Sequence, residues 1–201
     1  MIQTAVILAA GLGSRLNGLA GDNPKGSLKI GATTLIERSI RILKEHGVTQ
    51  IIIVTGFGCH FYEQLAHNDP MITTVHSDLY ASSGSLYSLS LVKPHVKTDF
   101  LLLESDLIYA EKAVQRVQTT QLPNAILLSQ FTNSGDEVYV STAENRLVRM
   151  SKKREELGEI TGELVGIVKV SADLFDKMMT FAQDAFGQSL HWHYEDGLDR
   201  K

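Results

Sequence analysis

The sequence predicts an α/β fold, a Rossmann-like and mostly parallel sheet flanked by helices, with an antiparallel extension in the second half. Three observations carry this expectation. Apolar runs at residues 3–9, 51–54, 72–76 and 100–103 are long enough for buried strands and too short for helices. Segments of helical periodicity separate them, and such alternation favours parallel pairing through right-handed crossovers. Past Asp106 the alternation stops, and strand candidates at 125–129, 138–141, 147–150 and 165–170 follow with little helix between them.

The first strand runs straight into Gly11 and Gly13, which punctuate its end. Leu35, Ile36, Ile40, Leu43 and Val48 recur at near-helical spacing, so a helix is predicted from about Thr34 to His46, stopped by Gly47. Strand two is Ile51-Ile52-Ile53-Val54, after which Gly56 and Gly58 open a short helix around Phe61 to Ala66. Residues 72–76 form strand three. The Ser-rich segment Ala81-Ser82-Ser83-Gly84-Ser85 then leads into a helix carrying Leu86, Leu89 and Leu91. Strand four, Phe100 to Leu103, ends in Glu104-Ser105-Asp106. Parallel sheets bind ligands outside the carboxyl ends of their strands. The antiparallel half would cover one side of that site. The chain closes in charged residues after a last helix, with no internal repeat and no low-complexity tract.

With 201 residues, 43% hydrophobic and 21% charged, the chain fits one globular domain, residues 1–201, with apolar material for a real core. The net charge of −4 and the scattered basic residues exclude the counterion-releasing surface of a nucleic-acid partner. A single cysteine, Cys59, excludes an internal disulfide framework and a multi-Cys zinc site, which points to a reducing compartment, the cytoplasm. The apolar start has no preceding Lys or Arg and no cleavage pattern, so it reads as a strand rather than a signal peptide. No run approaches the roughly 20 apolar residues of a membrane span.

The loop after strand one is built for phosphate. A dinucleotide fingerprint needs a small residue where Leu16 stands and an acid near Thr55 and Gly56. A Walker loop needs glycine before its lysine, whereas Gly26 follows Lys25. What remains is a looser triphosphate loop. Backbone N–H groups from Ala10 through Gly11 and Gly13 to Ser14 face the phosphates, and Arg15 and Lys25 neutralise them.

The string LAAGLGSRL followed by Pro24-Lys25 resembles the signature of the sugar-phosphate nucleotidyltransferases, the superfamily with the MobA-like NTP transferase fold. The segments TLIERSIRILKEHGV, LYASSGSLYSLSLV and FLLLESDLIY are most similar to the cytidylyltransferases that activate phosphocholine or 2-aminoethylphosphonate. The resemblance covers nearly the whole chain. It implies CTP as donor, a small phosphonate or phosphate acceptor, Mg2+ as cofactor, and Lys25 as the residue that stabilises the α-phosphate in the transition state. It also implies that Leu8, Ala10, Gly84 and Ser85 meet the nucleobase, with Ser105 beside the nucleotide. Family members usually continue to a segment like Trp-x-Glu-Ile-Asp whose Asp helps hold magnesium. The chain is expected to lack that segment, so that a further domain or a second ligand from elsewhere stays open, as does a homodimer.

Nucleotidyl transfer brings two anions together, so fixed cations and a divalent metal carry the catalysis. Asp106, past a buried strand, is the predicted metal ligand and third catalytic residue beside Lys25 and Arg15; its other use would be to cap a following helix. Glu195 and Asp196 are candidates for a second carboxylate or an acceptor contact. Lys152 or Lys153 would receive the acceptor's phosphate or phosphonate, with no choice between them. A cationic acceptor needs carboxylates and aromatic faces. Asp136, Glu137, Tyr139 and Glu163 are the candidates, Glu137 and Glu163 by the resemblance. His191 and His193 lack a third ligand and predict no zinc, and Cys59 receives no catalytic role. Two rivals remain: a sugar 1-phosphate or molybdenum cofactor with another nucleotide, and a non-catalytic nucleotide-binding module.

Overall fold

A computed structural model describes residues 1–13, 23–133 and 135–199. Ser14, Arg15 and Leu16 lie outside the described residues. The first half contains strands β1 (Thr4–Ala9), β2 (Lys29–Ile30), β3 (Thr33–Thr34), β4 (Gln50–Thr55), β5 (Ile72–His76) and β6 (Phe100–Glu104), with helices α1 (Leu35–Glu45), α2 (Cys59–Asn68) and α3 (Ser85–Ser90). The second half adds α4 (Lys112–Thr119), β7 (Ala125–Ser129), β8 (Tyr139–Ala143), β9 (Arg146–Ser151), β10 (Gly162–Val170), α5 (Ala172–Phe186) and α6 (Tyr194–Asp199).

The main sheet runs β5-β4-β1-β6-β10-β8-β9, with β7 paired to β10, while β2 and β3 form a separate ribbon. The pairs β5–β4, β4–β1 and β1–β6 are parallel, and every pairing from β10 onward is antiparallel. The predicted architecture is the one observed.

Parity organises both cores, because successive side chains of a strand point to opposite faces. Even-numbered residues (Val6, Leu8, Ile52, Val54, Phe100, Leu102, Val168) pack with α3, α5 and α6. Odd-numbered ones (Ala5, Ile7, Ile51, Ile53, Leu101, Leu103, Ile167) pack with α1, Tyr62 of α2, and α4. Apolar residues thus occupy both faces of β1 and β4, as a doubly covered parallel sheet demands.

Local chemistry explains where helices begin and end. The Thr34 hydroxyl accepts from Glu37 N while the Glu37 carboxylate accepts from Thr34 N, a capping box at the start of α1. Gly47, with φ of 85°, follows its C-cap. Helix α2 is longer than predicted at both ends. Helix α4, which precedes the strands of the extension, has no clear sequence signal: only Val114 and Val117 are its buried apolar residues, too few for a clear periodicity, while between β7 and β10 little helix occurs, as expected. Among the described residues no helix is long and apolar enough to cross a membrane.

Candidate active site

Strands β1 and β6 are neighbours in register, Leu8 beside Glu104, so both end at the same level. Ser105 N donates to Leu8 O at 3.1 Å and ties the two ends together. A cavity of about 340 Å³ opens there, bounded by Leu8 to Gly13, by Lys25, and by Glu104, Ser105 and Asp106. Its other walls are the Tyr80–Ser88 region, the antiparallel extension, and residues 193–195.

Lys25 and Asp106, 81 positions apart, meet here with Nζ to Oδ2 at 3.0 Å. Both side chains keep part of their surface in solvent, so the pair is worth only about 0–1 kcal/mol of stability. Its value is that a cation and a carboxylate are presented together at the strand ends. Asp106 caps no helix, since α4 starts six residues later after Glu111. Gly13, with φ of 68°, lies against the aliphatic stem of Lys25, where a Cβ would come within 3.0 Å of Cγ. A Cβ on Gly11 would meet nothing within 4 Å among the described residues.

Gly84 and Ser85 line the cavity, yet their local partners are protein groups. Gly84 N donates to Leu190 O, and a Cβ at position 84 would fall 2.1 Å from Trp192 O. The glycine is therefore required by the chain segment that crosses it. Ser85 is not the cap of α3, which is Gly84; its hydroxyl accepts from Tyr194 N at 3.0 Å.

That crossing segment brings in carboxylates from the far end of the chain. Tyr194 Oη donates to Glu104 Oε1 at 2.7 Å, and Glu195 lines the cavity with its Oε2 buried and without a hydrogen-bond partner among the described residues. Burial, then the neighbouring Glu104 charge, pushes the Glu195 carboxyl up to about 7. Burial also raises Glu104, against the hydrogen bond from Tyr194, while burial and the Glu104 and Glu195 charges raise the Tyr194 phenol. Glu104 has room because Gly166, in the left-handed region at φ 82°, carries no Cβ that would press on its carboxylate at 3.0–3.1 Å. Asp196 stays out of the cavity wall and accepts from His193 N at 2.8 Å.

The antiparallel extension sorts its candidates by parity. Asp136, Val138, Lys152 and Leu164 line the cavity, and Lys152 Nζ lies 3.7 Å from Asp136. Glu137, Tyr139 and Glu163 do not. Glu137 accepts from Gly135 N, and Glu163, buried, accepts from Thr132 N and Thr132 Oγ1 at 2.9 and 2.7 Å. The Tyr139 and Phe131 rings take the Arg154 guanidinium, at 5.9 and 5.2 Å. The structure also separates the two lysines: Lys152 follows buried Met150 on the cavity face, while Lys153 pairs with Glu156 at 3.3 Å.

Glu104 and Tyr194 were not legible as site residues. Their signal is the parity of β6, whose even positions face the cavity side, and the contact between sequence-distant ends. His193 lines the cavity with Nδ1 3.4 Å from Ser85 Oγ. Cys59, His60 and Glu63 lie outside it, their ligand atoms within 4.8 Å of one another, and burial followed by Glu63 raises the Cys59 thiol.

A lysine and an aspartate facing each other at the ends of two parallel strands, with further carboxylates behind, define the class of a phosphate-handling α/β transfer domain. The chain belongs to the MobA-like NTP transferase domain family, whose model matches residues 5–195. It is 36% identical over 98 residues to the choline-phosphate cytidylyltransferase of Streptococcus pneumoniae, covering 49% of this chain and 42% of that protein. It is 25% identical over 189 residues to the 2-aminoethylphosphonate cytidylyltransferase of Lancefieldella rimae, covering 93% and 74%. The chain thus spans about two fifths of the length of the first curated relatives. In structure it resembles the inositol-1-phosphate CTP transferase from T. maritima, with a TM-score of 0.83, 19% identity, and coverage of 98% of this chain and 80% of that one.

Proposed function

We propose that the chain is a cytidylyltransferase domain that transfers CMP from CTP to a small phosphonate or phosphate acceptor, 2-aminoethylphosphonate or phosphocholine, and releases pyrophosphate. One observation carries this reading: a single cavity is lined both by Lys25, paired with Asp106 at the strand ends, and by Lys152 from the antiparallel extension. Two fixed cations suit a reaction between two anions. An acceptor oxygen forms a bond to the α-phosphorus of CTP, and the bond from the α-phosphorus to the bridging oxygen of the leaving pyrophosphate breaks.

Lys25 neutralises charge that builds on the α-phosphate, which raises the rate only to the extent that it is held in place beforehand. Lys152 orients the acceptor's phosphate or phosphonate. The loop backbone from Ala10 to Gly13 faces the nucleotide, with Leu8, Gly84, Ser85 and Ser105 around it. Ser14 and Arg15 are proposed to extend this contact to the triphosphate. The donor set also suits magnesium, which takes one or two carboxylates together with phosphate oxygens and water. Asp106 and Glu195 would hold it, since Glu195 Oε2 has no hydrogen-bond partner among the described residues. When bound, the ion neutralises the triphosphate. Asp136, on the cavity wall, supplies negative charge for an ammonium group, and the reducing compartment implied by one cysteine is the cytoplasm.

Incubating the full-length protein with CTP, Mg2+ and either acceptor is expected to release pyrophosphate. Turnover confined to a sugar or polyol 1-phosphate overturns the acceptor assignment. CTP binding without turnover on any acceptor overturns the catalytic one.

A further inference from the structure

Helix α2 lines none of the cavity, yet it supports both groups that meet there. Its N-cap, Gly58, has φ of 64°, and a Cβ at that position would come within 2.5 Å of Pro24 Cδ. Four residues on, and so on the same face of the helix, Tyr62 is fully buried. A Cβ on Gly26 would lie 2.7 Å from its Oη and 3.3 Å from its Cε1. Gly58 and Tyr62 therefore hold the turn Pro24-Lys25-Gly26 from behind, one residue on either side of Lys25.

The same hydroxyl reaches the other partner. It lies close to Ser105, the residue before Asp106, and burial pushes the phenol up to about 12, against the influence of Ser105 and the Gly26 backbone. It stays a neutral hydroxyl at any working pH. It nevertheless completes no hydrogen bond of good geometry among the described residues. An unpaired buried hydroxyl costs stability, and phenylalanine would fill the same space without that cost. Packing alone does not explain the oxygen.

We propose that Tyr62 is a positioning residue for nucleotidyl transfer, its hydroxyl setting the distance between the turn that carries Lys25 and the turn that carries Asp106. The two charged groups are thereby held at the 3.0 Å approach from which each engages its ligand. The inference rests on the cytidylyl-transfer reading above. Tyr62 touches no reacting atom; it acts through Gly26 and Ser105.

The test is steady-state kinetics of the full-length protein carrying Tyr62→Phe, measured together with thermal unfolding. The expected result is a kcat lower by about tenfold, the order of loss that small misplacements cause, with KM for CTP unchanged and the unfolding midpoint equal or higher. A merely structural tyrosine gives the reverse: unchanged kcat, or a loss that tracks a lower midpoint, and either result overturns the proposal. Gly26→Ala supplies the second measurement. It should lose turnover by pressing on the tyrosine oxygen, and Gly26→Ala combined with Tyr62→Phe should recover part of it; a double variant no better than Gly26→Ala alone counts against the proposal. Lys25→Ala separates the two readings. If it is inactive while Tyr62→Phe is fully active, only the positioning inference fails; if Lys25→Ala retains full activity, the role of Lys25 fails and takes this inference with it, whereas the transfer reading itself fails only if the unmodified protein turns over no acceptor.

Discussion

In the parallel half, β1 and β4 are apolar on both faces beneath helices, so a charged side chain reaches the cavity only where a strand runs out. In the antiparallel half, β8 and β9 have one face toward the cavity or core and the other toward solvent, so the functional face depends on which parity a residue has. Strand ends identified Asp106. Alternation distinguished Lys152 from Lys153 and turned Glu137 and Glu163 away.

The largest test of this contrast lies at the strand ends. Lys25→Ala and Asp106→Ala should each lower kcat by about a thousandfold, a loss of the size seen when a charge-stabilising group is removed, with circular dichroism and unfolding unchanged. If either variant keeps most of its activity, the strand-end site is misassigned. Next, Lys152→Ala should raise KM for the acceptor by about tenfold, the equivalent of about 1.4 kcal/mol, whereas Lys153→Ala should stay near wild type. Equal effects at the two positions would break the parity rule.

A smaller effect is expected at Glu163. Glu163→Gln disturbs the acceptor for Thr132 N and Thr132 Oγ1 and should destabilise the protein by about 1–2 kcal/mol in denaturant titrations, loosening the loop that carries Asp136. Glu137→Gln, by contrast, should leave acceptor KM unchanged, because Glu137 is not part of the cavity wall and accepts from Gly135 N within its own loop. The smallest change is in the parallel half but far from its strand ends. Thr34→Ala removes the cap of α1 and should cost about 1 kcal/mol with kcat intact.

The sequence was most legible where local rules dominate. Buried strands announce themselves by apolar runs, and glycines and capping residues mark the turns, so β1, β4, β5, β6 and α1 fall within a residue or two of their expected bounds. Asp106 was legible because it sits just beyond such an element, and Lys25 because it closes the loop pattern that opens at Gly11. The cavity wall in the second half was not, because Asp136 and Glu137 look alike in the segment before β8, and only its folded path shows that Asp136 lines the cavity. Gly84 illustrates the same limit. The resemblance implied a nucleobase contact there, while the space beside its Cα is taken by the backbone of Trp192.

By itself, then, the sequence determined the α/β order, the antiparallel extension, the glycines that end β1 and the acidic residues that end β6, since each depends on neighbours within a few positions. Only the tertiary structure decided that Lys25 faces Asp106 across 81 residues, that Lys152 rather than Lys153 enters the cavity, and that Glu195 arrives beside Glu104 from the far end of the chain. Those choices depend on strand register and on burial shared by distant segments, which no local pattern of residues encodes.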